Sequence, residues 1–286
     1  MSGQTAKGRD GKGKDMWDKT SPIGIIDSGI GGFSVARQIQ KFLPNEDLIY
    51  FGDSANVPYG NRTSDKILSL TRYMIRFMER RQVKALLMAC NTIACLIDRY
   101  RDDMNCPAFS VVQAGADAVK ELDLDRVGVL STCFTANSRC YPDLIEKQSP
   151  KTQVFSYGSP DLANVVERHL CDPEGREIID DSIRANMGRL LAMADIRNCV
   201  LGCTHFSLLE ERFRRLFPEV ALIDPAEQMA KTVRAYLERN GLANPSRSAG
   251  TVNIFTTGDA DACRVDAERA GISPISSVQF YPPVNA

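Results

Sequence analysis

From Ile23 onward, short apolar runs alternate with longer stretches of helical periodicity, and this alternation restricts the possible folds more than any other feature of the chain. Such a rhythm builds parallel strands joined by crossover helices, so the expected class is α/β. The runs read as strands are Ile23 to Ile26, Leu48 to Phe51, Ala85 to Ala89, Ala108 to Val112, Val127 to Ser131, Gln153 to Ser156, Cys199 to Leu201, Val220 to Ile223 and Val252 to Phe255. Between them, Ile67, Leu70, Met74, Phe77 and Met78 repeat at helical spacing, as do Ile178, Ile179, Ile183, Met187, Leu190 and Leu191. Stripes of this kind pack a core.

Several of these strands run into polar clusters: Asp27-Ser28-Gly29, Gly52-Asp53-Ser54, Cys90-Asn91-Thr92 and Cys203-Thr204-His205. Open parallel sheets bind ligands outside the carboxyl ends of their strands, so the four clusters can converge on one crevice. A loose echo joins two of them, because Ala85 to Thr92 and Cys199 to His205 each carry a buried strand into a cysteine and a polar group. Two similar lobes, each contributing one cysteine, would produce that echo.

Two thiols on opposite faces of one carbon can remove a proton from one side and return it from the other, which cofactor-free inversion of a stereocentre requires. A free thiol titrates near ~8.5, and a helix N-terminus or an imidazolium lowers that value. Cys90 precedes an expected helix start near Ile93, and Cys203 has His205 two residues on. Cys95, Cys106, Cys133, Cys140, Cys171, Cys199 and Cys263 lack such neighbours and read as small buried hydrophobes. Of the two histidines, His169 reads as structural, beside Glu167 and Arg168, and His205 as an acid/base partner.

Asp27 is followed by Gly29, Gly31 and Gly32, which permit a tight turn and leave backbone amides at a helix start open to an anion. A nucleotide phosphate is disfavoured, because a dinucleotide fingerprint needs Gly or Ala where Ser34 stands, although Asp53 lies at a plausible ribose-binding distance. A substrate carboxylate is the better reading. No C-x-x-C pair accompanies the two histidines, so no metal is expected.

A chain of 286 residues has room for two modest domains. With 35 Lys and Arg against 36 Asp and Glu, it offers no general attraction for nucleic acid or an anionic membrane, so the expected partner is a small molecule. Nine cysteines are an odd number for a disulfide framework, and no N-terminal apolar segment resembles a signal peptide, so a cytoplasmic setting is expected. Met1 to about Thr20 is rich in Gly and Lys and reads as a flexible basic tail.

Gly24-Ile25-Ile26-Asp27-Ser28-Gly29-Ile30-Gly31-Gly32, Tyr50 to Gly60, Ala89-Cys90-Asn91-Thr92 and Gly202 to Leu209 together resemble the motifs of the glutamate racemases, in the aspartate/glutamate racemase superfamily. The resemblance covers nearly the whole chain after the tail. It implies two Rossmann-like lobes with the active site between them, residues 21–112 plus 224–286 in the first and 113–223 in the second. It implies that Cys90 and Cys203 are the two bases, assisted by Asp27 and His205, and that Asp27, Ser28, Pro58, Tyr59, Gly60, Asn91, Thr92, Thr135, Thr204 and His205 bind substrate. It further implies a cofactor-free, homodimeric enzyme supplying D-glutamate for peptidoglycan. Phe206-Ser207 stands where the family usually has an aromatic residue and proline, and Val111 to Gly115 also departs from the usual wording. The side-chain pocket therefore leaves an aspartate or hydantoin racemase, or a non-catalytic binding protein of this fold, as alternatives.

Overall fold

A computed structural model of the chain describes residues 17–170, 172 and 174–284. Ten strands are described: β1 (Ile23–Asp27), β2 (Leu48–Gly52), β3 (Ala85–Met88), β4 (Ala108–Ser110), β5 (Arg126–Thr132), β6 (Gln153–Ser159), β7 (Asn198–Gly202), β8 (Ala221–Ile223), β9 (Val252–Thr256) and β10 (Ile275–Phe280). Twelve α-helices connect and flank them: α1 (Phe33–Phe42), α2 (Ser64–Glu79), α3 (Asn91–Ala94), α4 (Val111–Leu122), α5 (Cys133–Asn137), α6 (Cys140–Gln148), α7 (Leu162–His169), α8 (Gly175–Leu191), α9 (Thr204–Ser207), α10 (Glu210–Leu216), α11 (Pro225–Arg239) and α12 (Ala260–Arg269).

The strands form two sheets, one ordered β10-β9-β2-β1-β3-β4 and the other β6-β5-β7-β8. Every pairing is parallel. The first sheet takes its strands from both ends of the described chain and the second from the middle; each sheet with its helices is called a lobe below. In the first sheet the chain winds one way from β1 to β2 and the other way to β3. The second repeats this around β5, with β6 on one side and β7 on the other. A crevice opens outside the carboxyl ends at each reversal, between β1 and β3 and between β5 and β7. Cys90 follows β3 and Cys203 follows β7, so the two cysteines occupy matching places in the two lobes.

The stripes anticipated on α2 and α8 are core. Ile67, Leu70, Met74, Phe77 and Met78 are buried against the first sheet, whereas on α8 Ile179, Ile183, Met187 and Leu190 are buried and Ile178 is exposed.

Three expectations about the chain's organisation are corrected. Val111 and Val112 do not extend a strand but open α4, because the Ser110 hydroxyl accepts a hydrogen bond from the Gln113 N–H at 3.3 Å and starts the helix there. β10 was not anticipated; it is an edge strand whose side chains are half-buried or exposed, so its sequence carries no buried run. The expected tail falls partly outside the described residues, but residues 17–20 are held: Trp17 packs on the core, the Asp18 carboxylate accepts from Thr20 N and Ser21 N, and Lys84 Nζ donates to the Lys19 carbonyl at 2.6 Å.

Candidate active site

β1 and β3 deliver Asp27, Ser28, Cys90, Asn91 and Thr92 from one lobe, while β5 and β7 deliver Thr132, Cys203, Thr204 and His205 from the other. Ser28, Pro58, Tyr59, Gly60, Cys90, Asn91, Thr92, Cys203, Thr204 and His205 line one cavity, as the sequence suggests, together with Val57, Thr132 and Ala163, which sequence reasoning missed. The free space is about 20 Å³, room for roughly one water-sized probe. That space as it stands does not hold an amino acid.

Asp27 and Thr135 stand behind the wall rather than in it. Asp27 is fully buried; its Oδ1 accepts from Gly29 N at 2.9 Å and its Oδ2 from the Thr204 hydroxyl of the opposite lobe at 3.1 Å. Burial raises its pKa, partly countered by His205 and these hydrogen bonds. Thr135 reaches the wall through hydroxyl contacts with Thr132 at 3.1 Å and Thr92 at 3.5 Å. Across the same seam, the Tyr141 hydroxyl donates to Asn91 Oδ1 at 2.7 Å.

The two sulfurs differ in their surroundings. Cys90 is the N-cap of α3, and its Sγ donates to the Ser28 hydroxyl at 3.5 Å. Its expected activation is not found: burial pushes the thiol up to about 12, and the nearby Asp27 carboxylate adds to the shift. The contacts with the Ser28 hydroxyl and the Ile93 backbone work the other way and are outweighed. Cys203 Sγ lies 3.7 Å from His205 Nδ1, and His205 Nε2 lies 2.6 Å from Glu167 Oε1. Burial alone would lower the His205 pKa, but the Glu167 carboxylate and Cys203 outweigh it and hold the imidazole well above its ordinary value. Glu167, also desolvated, is held below the usual range by His205 and by the Ile30 N–H, which donates to it at 3.3 Å. The result is a buried carboxylate–imidazolium–sulfur row that touches the first lobe at Ile30.

Glu167 was missed as a site residue. The sequence places it on α7 beside His169 and offers no local sign that it faces His205, 38 residues away. The glycines after Asp27 also act differently from the expectation. The Gly29 and Ile30 amides are taken by Asp27 and Glu167 instead of standing open to an anion. Gly31 permits close approach: a Cβ there would collide with Thr204 Oγ1 and lie 2.8 Å from His205 Nδ1. Asp53 binds no ribose-like site, since its carboxylate accepts from Asn56, the Tyr59 hydroxyl at 2.6 Å and the Thr257 hydroxyl at 2.7 Å.

His169 lies outside the cavity, its Nδ1 3.4 Å from Asp172 Oδ2. The reading of the remaining cysteines holds for Cys106, Cys199 and Cys263, which are buried, while Cys133 is half-buried and Cys171 lies outside the described residues. It fails for Cys95 and Cys140, which are half-buried and joined as a disulfide. Among the described residues, no group of three or more His, Cys, Asp or Glu is placed to hold a metal ion, and no helix is long and apolar enough to cross a membrane.

Residues 23–233 match the family model described as Asp/Glu/Hydantoin racemase. A relative named glutamate racemase 1, from Caldanaerobacter subterraneus, is 35% identical over 246 residues, covering 85% of this chain and 90% of its own. Among solved structures, the glutamate racemase isoform RacE1 from Bacillus anthracis is 31% identical with a TM-score of 0.85, covering 93% of this chain and 100% of its own. A glutamate racemase from Francisella tularensis, solved in complex with D-glutamate, is 28% identical with a TM-score of 0.83, covering 93% of this chain and 99% of its own.

Proposed function

Because the chain belongs to the Asp/Glu/Hydantoin racemase family, we propose that it interconverts L- and D-glutamate by a two-base mechanism in which Cys90 and Cys203 serve opposite faces of the α-carbon. The observation that carries this reading is the shared cavity with one thiol from each lobe. Glutamate is preferred over aspartate because curated relatives named for glutamate match at 32–38% identity over most of this chain.

In this proposal the lobes, residues 21–112 plus 224–286 and residues 113–223, part to admit substrate and close over it. One thiolate removes the α-proton while the facing thiol protonates the other side, after which the protonation states of the two sulfurs have exchanged. The surroundings of the two sulfurs differ, since burial holds Cys90 as a thiol while Cys203 Sγ lies 3.7 Å from His205 Nδ1. As the α-proton leaves, charge grows on the α-carboxylate, and the hydroxyl and amide donors of Ser28, Asn91 and Thr92, which line the cavity, would meet it, while the Thr204 hydroxyl stays with Asp27. Asp27 positions Thr204 and the Gly29 turn, and Thr135 steadies Thr92. The reading extends to a cytoplasmic homodimer that supplies D-glutamate for peptidoglycan.

The test follows optical rotation of L-glutamate, D-glutamate and L-aspartate with wild-type protein, Cys90→Ser and Cys203→Ser. Both glutamate enantiomers should racemise without added cofactor, aspartate should turn over far more slowly, and each serine variant should lose about 10²–10⁴-fold in kcat/KM. Preferred turnover of aspartate would move the substrate assignment. Full racemisation by either variant would remove that cysteine from the chemistry.

A further inference from the structure

A second cavity, of about 590 Å³, opens between α3, α4, α6 and α11, and Cys95 and Cys140 both stand in its wall. Cys95 closes α3, the helix that Cys90 opens, and belongs to the first lobe. Cys140 opens α6 in the second lobe, and its neighbour Tyr141 holds Asn91. Their Cα atoms are 5.5 Å apart, inside the window a disulfide spans, and they are 45 residues apart in sequence.

We propose that Cys95 and Cys140 form a reversible thiol–disulfide site that ties the two lobes together beside the catalytic cysteines and slows substrate passage. Three observations combine. The pair bridges elements of different lobes. Both cysteines are half-buried at a cavity that admits a small reagent, whereas Cys106, Cys199 and Cys263 are buried without a cysteine partner. The catalytic cavity as it stands is too small to hold an amino acid, and a covalent bond from α3 to α6 opposes any parting of the lobes that would widen it.

The oxidant is a low-molecular-weight disulfide. One cysteine thiolate attacks it and releases the first small thiol, leaving a mixed disulfide; the second cysteine thiolate then attacks the protein sulfur and releases the second small thiol. The two cysteines lose two electrons and two protons, which appear in the two small thiols. An excess of dithiol reverses both steps.

The experiment equilibrates the full chain with oxidised glutathione or with dithiothreitol, maps disulfides by mass spectrometry after alkylation, and measures racemisation and amide hydrogen exchange in parallel. Cys95→Ser and Cys140→Ser serve as controls. Oxidised glutathione should produce the Cys95–Cys140 disulfide and lower kcat/KM by about tenfold or more, dithiothreitol should restore the rate, and both serine variants should keep the reduced-state rate under oxidant. Glutathione adducts elsewhere with no Cys95–Cys140 bond would overturn the proposal, as would a complete disulfide with unchanged turnover, or an equal loss in the serine variants, which would place the damage at Cys90 or Cys203. The rate readout rests on the racemase reading. If the reduced protein does not racemise any amino acid tested, slower exchange at residues 91–95 and 140–148 on oxidation still supports the clamp, and unchanged exchange refutes it.

Discussion

Replacing Glu167 with glutamine keeps the side chain's shape and removes its charge from His205. The pair is 2.6 Å apart with side-chain exposures of 15% and 4%, so solvent screens it little. A hydrogen bond to a charged partner contributes about 1.5–3 kcal/mol, and glutamine can still accept from a neutral imidazole, so a loss near ~2 kcal/mol is expected. For a protein of 286 residues that corresponds to about 3 °C in melting temperature. The pH dependence has a definite sign. The pKa of His205 is raised, so its stabilisation is complete below the ordinary value of 6.5 and disappears as pH climbs through the raised folded value. The pKa of Glu167 is lowered, so its share is present above 4.5 and fades as pH falls through the folded value. The gap between parent and E167Q should therefore be widest between those two ordinary values and should narrow in alkali. Thermal melts across this range provide the assay. The alkaline limb of kcat/KM should also move to lower pH, since only Cys203 then opposes the effect of burial on His205. A shift in melting temperature that is absent, or that stays the same size into alkali, would refute the reasoning.

Tyr141→Phe removes the donor that satisfies Asn91 Oδ1 across the seam, and should cost about 1–3 kcal/mol in a urea melt while raising KM for glutamate. Gly31→Ala puts a methyl group where Thr204 and His205 approach; steady-state assays should show about tenfold or greater loss of kcat/KM with the melt of the first lobe little changed, because the clash is between lobes. Lys84→Met leaves Glu46 as an unpaired buried charge, since the pair sits at 0% and 2% side-chain exposure, and thermal melts should register a loss of about 3–5 kcal/mol with the active site unaltered.

Strands buried on both faces were legible because parallel sheets demand continuous apolar runs, and β1, β2, β3 and β9 carry them. β10 was not, because an edge strand with half-exposed side chains has little to distinguish it from a loop. At the site, the four polar clusters at strand ends announced themselves locally, and three of them supply wall residues directly. Asp53 of the fourth serves instead to hold Tyr59. Glu167 and the Cys95–Cys140 pair escaped notice for one shared reason. Each acts on a partner far away in the chain, and neither has a neighbour in sequence that betrays the contact. The titration of Cys90 was misjudged because a capping position is visible in sequence whereas complete desolvation is a property of the packed lobes.

The sharpest test of a proton passing between two opposed sulfurs is to run each glutamate enantiomer in deuterium oxide and to follow early deuterium content at the α-carbon of substrate and product. The account predicts that the newly formed enantiomer carries solvent deuterium from the first turnovers while the remaining starting enantiomer stays protiated, in both directions. Early deuterium in the unconverted enantiomer at the same rate as in the product would show one base serving both faces and would contradict it.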